Sequence, residues 1–83
     1  MQFLPPLTSR PLVPKLPNVS GDEAVKALQR LGFAFLRQRG SHSILRRGSQ
    51  GCVVPMHREI SQGTLRGVIK QAGVTEDEFR AAL

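Results

Sequence analysis

Cysteine occurs once in this sequence, at Cys52, so no intrachain disulfide can form and no multi-cysteine zinc site can be built. A lone thiol suits a reducing compartment, and the expected location is the cytoplasm. Tryptophan and tyrosine are absent, and the four phenylalanines are Phe3, Phe33, Phe35 and Phe79. That is a poor supply of platforms for stacking the bases of a single strand. No apolar run approaches the ~20 residues of a membrane span, so no membrane partner is expected. Acidic residues are also scarce. Between Ala24 and Thr75 the one acid is Glu59, against Lys26, Arg30, Arg37, Arg39, Arg46, Arg47, Arg58, Arg66 and Lys70. The net charge is +6, and a field of that sign attracts polyanions.

With 83 residues the chain makes one small domain. A domain of this size leaves little room for an enclosed metabolite pocket, and a shallow surface site acting on a polymer fits better. Five of the six prolines (Pro5, Pro6, Pro11, Pro14 and Pro17) fall in the first 17 residues. They remove backbone donors and disfavour helix, so residues 1–17 read as a flexible tail and residues 18–83 as the domain. The start, from Met1 to Pro14, has no basic region leading into an apolar stretch and does not read as a signal peptide. A genuine extension and an early start codon both account for it.

Ser20-Gly21-Asp22-Glu23 is a capping box, and Ala24, Leu28 and Leu31 follow at helical spacing until Gly32 stops the run. From Phe33 to Arg39 the period changes to two, apolar first and cationic later. Gly40-Ser41 is a turn, His42 to Arg47 a second strand, Gly48 to Gly51 a hairpin loop, and Cys52-Val53-Val54 a third strand closed by Pro55. Ser61 caps a helix carrying Leu65, Val68, Ile69 and Ala72, which Gly73 ends. Thr75-Glu76-Asp77-Glu78 opens a last short helix with Phe79 and Leu83. The order α-β-β-β-α-α predicts an α+β fold: a three-stranded antiparallel sheet with helices on one face.

Few residues remain for chemistry. Cys52 lies mid-strand, where a thiol is inert packing. Asp22, Glu23 and Glu78 have capping roles, so paired-carboxylate catalysis lacks a partner for Glu59. A metal site would need His42, His57 and Glu59 together among cations, and neither a metal nor a small-molecule cofactor is expected. What stands out is His42 after a Gly-Ser turn. In that hairpin Arg39 and His42 are cross-strand neighbours; Arg37 and Arg39 share one strand face, and His42, Ile44 and Arg46 share another. Backbone amides at Gly40 and Ser41 can form a nest for phosphate. Imidazole takes and gives protons at neutral pH, RNA supplies its own 2′-hydroxyl nucleophile, and guanidinium groups stabilise the phosphorane charge. The competing reading of His42 is a polar turn residue. Lys70 reads either as a further RNA contact or as a solvated cation at a helix C-terminus. His57, just past the third strand, reads as a structural or binding residue.

Arg37-Gln38-Arg39-Gly40-Ser41-His42 resembles the signature of the HicA toxins, also called the YcfA-like family. Lys15 to Gly21, Val53 to His57 and Gly63 to Val74 resemble three further segments of that family in the same order, so the likeness covers about residues 15–80. The resemblance implies a fold like the double-stranded-RNA-binding domain and a toxin of a type II toxin–antitoxin system, tied to stress response. It implies a metal-independent endoribonuclease, an mRNA interferase, with the family's catalytic histidine at His42. Arg37, Arg39, Gly40, Ser41, Arg46 and Lys70 are the candidate RNA contacts. The implied partners are messenger RNA and a HicB-type antitoxin that covers the active face. One departure is visible: many members carry a second histidine or a bulkier residue where this chain has Ser43. The alternative from another class is a non-catalytic double-stranded-RNA-binding module, which reads duplex shape and phosphates and needs no histidine at the turn.

Overall fold

A computed structural model describes residues 15–83. Of the tail expected over residues 1–17, residues 1–14 lie outside the described residues. The element order is α1 (Gly21–Arg30), β1 (Ala34–Arg39), β2 (His42–Arg47), β3 (Gln50–Pro55), α2 (Gln62–Ala72) and α3 (Glu76–Ala82). The sheet is antiparallel in the order β1-β2-β3. This is the α+β arrangement expected, with the topology of the double-stranded-RNA-binding domain.

Each helix begins where its cap dictates. Ser20 Oγ accepts from the Glu23 amide (3.1 Å) and the Ser20 amide donates to Glu23 Oε1 (2.8 Å), so two orphan donors are satisfied at the start of α1. Thr75 and Glu78 repeat the box at α3 (3.0 and 2.8 Å), and Ser61 Oγ accepts from the Thr64 amide at α2. Gly73 ends α2 in the left-handed region, at φ +77°. Leu83 lies beyond α3 and is exposed; Ala82 packs against the core instead.

The strands are joined by two-residue turns, Gly40-Ser41 and Gly48-Ser49, so β3 starts at Gln50, inside the stretch read as loop. Gly40 (φ +57°) and Gly48 (φ +60°) supply the positive φ that tight hairpins need. The first strand does not keep a strict period of two. Phe35 pairs with Leu45 and Arg37 with Ile44, which leaves Leu36 as an extra residue in a β-bulge. The bulge turns Phe35 to the inner face beside Leu45 and keeps Arg37 and Arg39 on the outer one.

The inner face carries Ser43, Leu45, Cys52 and Val54, all buried against Ala24, Ala27 and Leu28 of α1 and Leu65, Val68 and Ile69 of α2. Phe79 closes the core from α3. Order reaches further back than residue 18. Leu16 is 2% exposed, its amide donates to Gln62 Oε1 (3.0 Å) and its carbonyl accepts from Gln62 Nε2 (2.8 Å). Residues 15–17 are therefore attached to the domain, because Leu16 has an apolar site to fill and a glutamine to satisfy its backbone.

Three backbone hydrogen bonds clamp the end of β3. The Gly21 amide donates to the His57 carbonyl (2.9 Å), the Met56 amide to the Ser41 carbonyl (2.6 Å), and the Ile60 amide to the Val19 carbonyl (2.8 Å). Gly21 is needed for this approach: a Cβ there would lie 2.6 Å from Met56 Cα and from the Pro55 carbonyl oxygen. Alanine at a helical position ordinarily gains ~0.5–1 kcal/mol over glycine, but the clash is with backbone. Gly21→Ala should therefore destabilise by ~1–3 kcal/mol, a fall of about 4–8 °C in Tm for each kcal/mol. An unchanged or raised Tm in a thermal melt would show that the clamp yields freely.

Cys52, 2% exposed, has its thiol pushed up to about 11 by burial, from an ordinary 9.0. The unfolded chain loses this proton first, so the stabilisation is complete below pH 9.0 and disappears as pH rises through about 11. That contribution is roughly 2–3 kcal/mol. Urea titrations across this window should show a shallower loss of stability for Cys52→Ala than for the parent chain, and parallel losses would contradict the assignment.

Candidate active site

Strand register fixes which side chains share the outer sheet face. Arg39, His42 and Pro55 form one cross-strand row, Arg37, Ile44 and Val53 the next, and Ala34, Arg46 and Gly51 the third. Directly opposed side chains have Cβ atoms about 4.5–5.5 Å apart. His42 is thus an immediate neighbour of Arg39, with Arg37 and Arg46 further along the same face. His42, Arg37, Arg39 and Arg46 are all exposed. None of the three arginines has a protein partner among the described residues.

An open groove of about 500 Å³ runs beside this face, between the sheet and α2. His42 enters it from β2, Val53 and Pro55 from β3, His57 from the following turn, and Thr64, Gly67, Val68 and Gln71 from α2. Gln71 holds the two walls together. Its Oε1 accepts from the Val53 amide (2.9 Å), an edge-strand donor otherwise without a ladder partner, and its carbonyl accepts from Gln50 Nε2 (3.0 Å). Gly67 is exposed, and a Cβ there would meet nothing within 4 Å, so the groove is open at that point of the helix.

The Gly40-Ser41 turn stands at the end of the His42 row. Gln38 Nε2 donates to the Gly40 carbonyl (3.0 Å) and the Met56 amide to the Ser41 carbonyl (2.6 Å). Both carbonyls are thereby held by protein donors, which fixes the turn next to His42. Ser43, by contrast, is 1% exposed and on the inner face. Whatever residue occupies that position cannot share a substrate with His42, so the departure from the family pattern there falls in the core.

Of the residues that the sequence singles out, His42, Arg37, Arg39 and Arg46 lie on the outer sheet face and Gly40 and Ser41 at its end. Lys70 is exposed on α2 but does not line the groove. His57, which reads from the sequence as a structural or binding residue, lines the same groove as His42. The connection is invisible in the linear sequence because it depends on the Ser41–Met56 bond, which prolongs the β2–β3 pairing beyond His42 and Pro55. Among the described residues no group of three or more His, Cys, Asp or Glu side chains could hold a metal ion. No helix among them is long and apolar enough to cross a membrane.

A family model described as the HicA toxin of bacterial toxin–antitoxin matches residues 21–74, more than half of the chain. The match runs from the first residue of α1 to just beyond α2 and so takes in the whole groove. No curated protein matches the chain.

Adjacent arginines have different duties. Arg47 Nη1 donates to the Leu31 carbonyl (2.7 Å) at the end of α1, and its guanidinium lies 4.8 Å from the centre of the Phe33 ring. Arg46 faces outward. Arg47→Ala should cost about 1–2 kcal/mol of stability, whereas Arg46→Ala should stay within about 0.5 kcal/mol. Equal losses from the two variants in chemical denaturation would contradict this division.

Proposed function

The chain belongs to the HicA family of toxins of bacterial toxin–antitoxin systems, and we propose that it is a metal-independent endoribonuclease that cuts messenger RNA in the cytoplasm. The observation that carries this reading is the placement of His42: exposed, directly across the ladder from Arg39, and opening into a groove beside a face that also presents Arg37 and Arg46. The single domain is residues 18–83, with residues 15–17 attached to it through Leu16.

The chemistry needs only groups of this kind. Arg37, Arg39 and Arg46 draw the phosphate backbone onto the outer face. Gly40 and Ser41 define the turn against which a phosphate rests, and Lys70 adds positive charge from α2. His42 acts as general base or acid on the ribose, where attack of the 2′-oxygen on phosphorus builds charge that the guanidinium groups offset. No cofactor is needed, because the nucleophile belongs to the RNA. A shallow open groove admits a polymer without threading an end, which suits internal cleavage.

A HicB-type antitoxin silences the toxin by covering His42 and the arginines. The outer face is suited to such a partner: it presents cations beside apolar Ile44 and Val53, so an acidic segment with an apolar centre complements it.

The deciding experiment incubates RNA with purified protein in EDTA. Wild type should cleave, and His42→Ala should lose at least ~10²-fold in rate while keeping its melting temperature. Cleavage by His42→Ala at the wild-type rate removes His42 from the chemistry. Binding of duplex RNA with no cleavage by the wild type indicates a binding module.

A further inference from the structure

His57 has features that a structural role does not require. It is exposed, and its imidazole has no hydrogen-bond partner among the described residues. The residue is nonetheless held firmly through its backbone. Its carbonyl accepts from the Gly21 amide (2.9 Å), and the preceding amide, of Met56, donates to Ser41 of the catalytic turn (2.6 Å). The ring therefore lines, from a fixed point, the groove that His42 enters from the neighbouring strand. On its other side His57 also borders a second groove, with Asp22 and Gln38 among its walls and Arg58 alongside.

RNA cleavage moves two protons. One leaves the 2′-hydroxyl as its oxygen attacks phosphorus, and one must reach the 5′-oxygen as the P–O5′ bond breaks. A lone histidine has to handle both or leave one to water. From the shared groove we infer that His57 is the second proton-transfer group of this site: His42 accepts the 2′-proton and His57, as imidazolium, donates to the departing 5′-oxygen. The products are a 2′,3′-cyclic phosphate and a free 5′-hydroxyl. The protein ends with the proton on His42 in place of His57, and exchange with water resets it. Arg39 stands across the ladder from His42, and Asp22 and Arg58 border the second groove beside His57.

This inference rests on the nuclease reading, and the test separates the two. Full-length wild type, His42→Ala and His57→Ala are compared on two substrates, one with an ordinary ribose 5′-oxygen leaving group and one in which 4-nitrophenolate departs from the same 3′-phosphate. Nitrophenolate leaves without a proton donor. His57→Ala should lose ~10²–10⁴-fold on ordinary RNA yet stay within about tenfold of wild type on the nitrophenyl ester, whereas His42→Ala should lose activity on both. The pH profile of His57→Ala should also lose the fall in rate on its alkaline side. The backbone bond from Gly21 does not depend on the side chain, so the variant keeps its anchor, and a thermal melt verifies this. Equal loss by His57→Ala on both substrates, or no loss on either, overturns the assignment and leaves His42 untouched. Failure of the wild type on both substrates overturns the nuclease reading and this inference together.

Discussion

One extra residue in the first strand decides which way the arginines face. Phe35, Arg37 and Arg39 alternate in the sequence, and an unbroken strand would put all three on one side of the sheet. The bulge at Leu36 moves Phe35 opposite Leu45 and leaves Arg37 opposite Ile44 and Arg39 opposite His42. Without it, either an aromatic ring would stand among the outer cations or two guanidinium groups would turn toward the core. The second outcome is prohibitive, since an unpaired buried charge shifts a marginal domain toward unfolding. The bulge also has a cost: Phe35 is 43% exposed and Leu36 54% exposed on an edge strand. The strong twist that a bulge imposes makes that edge a poor template for another strand.

A second constraint acts at the start of α1. Gly21 lets the helix end close on the backbone of Pro55 and Met56, so that one short stretch of chain bonds to α1, to the Gly40-Ser41 turn and, through Ile60, to Val19. These contacts join residues far apart in sequence. They set the distance between His42 and His57 through the backbone, which is stiffer than any arrangement of long side chains. On the opposite wall, Gln71 ties α2 to β3 by bonds to Val53 and Gln50. The groove is therefore bounded by hydrogen-bonded walls on both sides, while the two imidazoles that line it have no hydrogen-bond partner among the described residues.

Elements with local signals were legible from the sequence. The capping bonds of Ser20 with Glu23, and of Thr75 with Glu78, span three positions, and those two helices begin where the capping residues say. Gly40-Ser41 and the alternation of His42, Ile44 and Arg46 likewise need no tertiary information, which is why His42 and its arginines could be grouped in advance. The features that the sequence pattern does not show are mostly non-local. The Leu36 bulge exists because inner and outer faces impose conflicting demands on one strand. Leu16 looked like part of a proline-rich tail, because its partner Gln62 lies 46 residues away. His57 looked isolated because the bonds that bring it to His42 pass through Ser41 and Gly21. One overlooked signal was available: Gly63 and Gly67 sit four apart in a helix, where each costs about 1 kcal/mol relative to alanine, and Gly67 lines the groove.

A net charge of +6 would by itself describe a merely basic surface, but the fold sorts the charges. Arg30 is bonded to the Ala82 carbonyl and Arg47 to that of Leu31, while Arg66 and Arg80 pair with Glu76 and Asp77. Glu23 and Glu78 are consumed in capping boxes. The rows of the outer sheet face contain Arg37, Arg39 and Arg46 and no carboxylate, so the cations that remain there are concentrated where no acid offsets them. Such a face suffices for holding a phosphate chain. It does not account for two imidazoles entering one groove from different elements, both exposed and with no hydrogen-bond partner among the described residues. A binding surface gains little from histidine, which is neutral for much of the time near pH 7. A surface that must move protons between oxygens gains a great deal from it, and that asymmetry is what favours cleavage over binding.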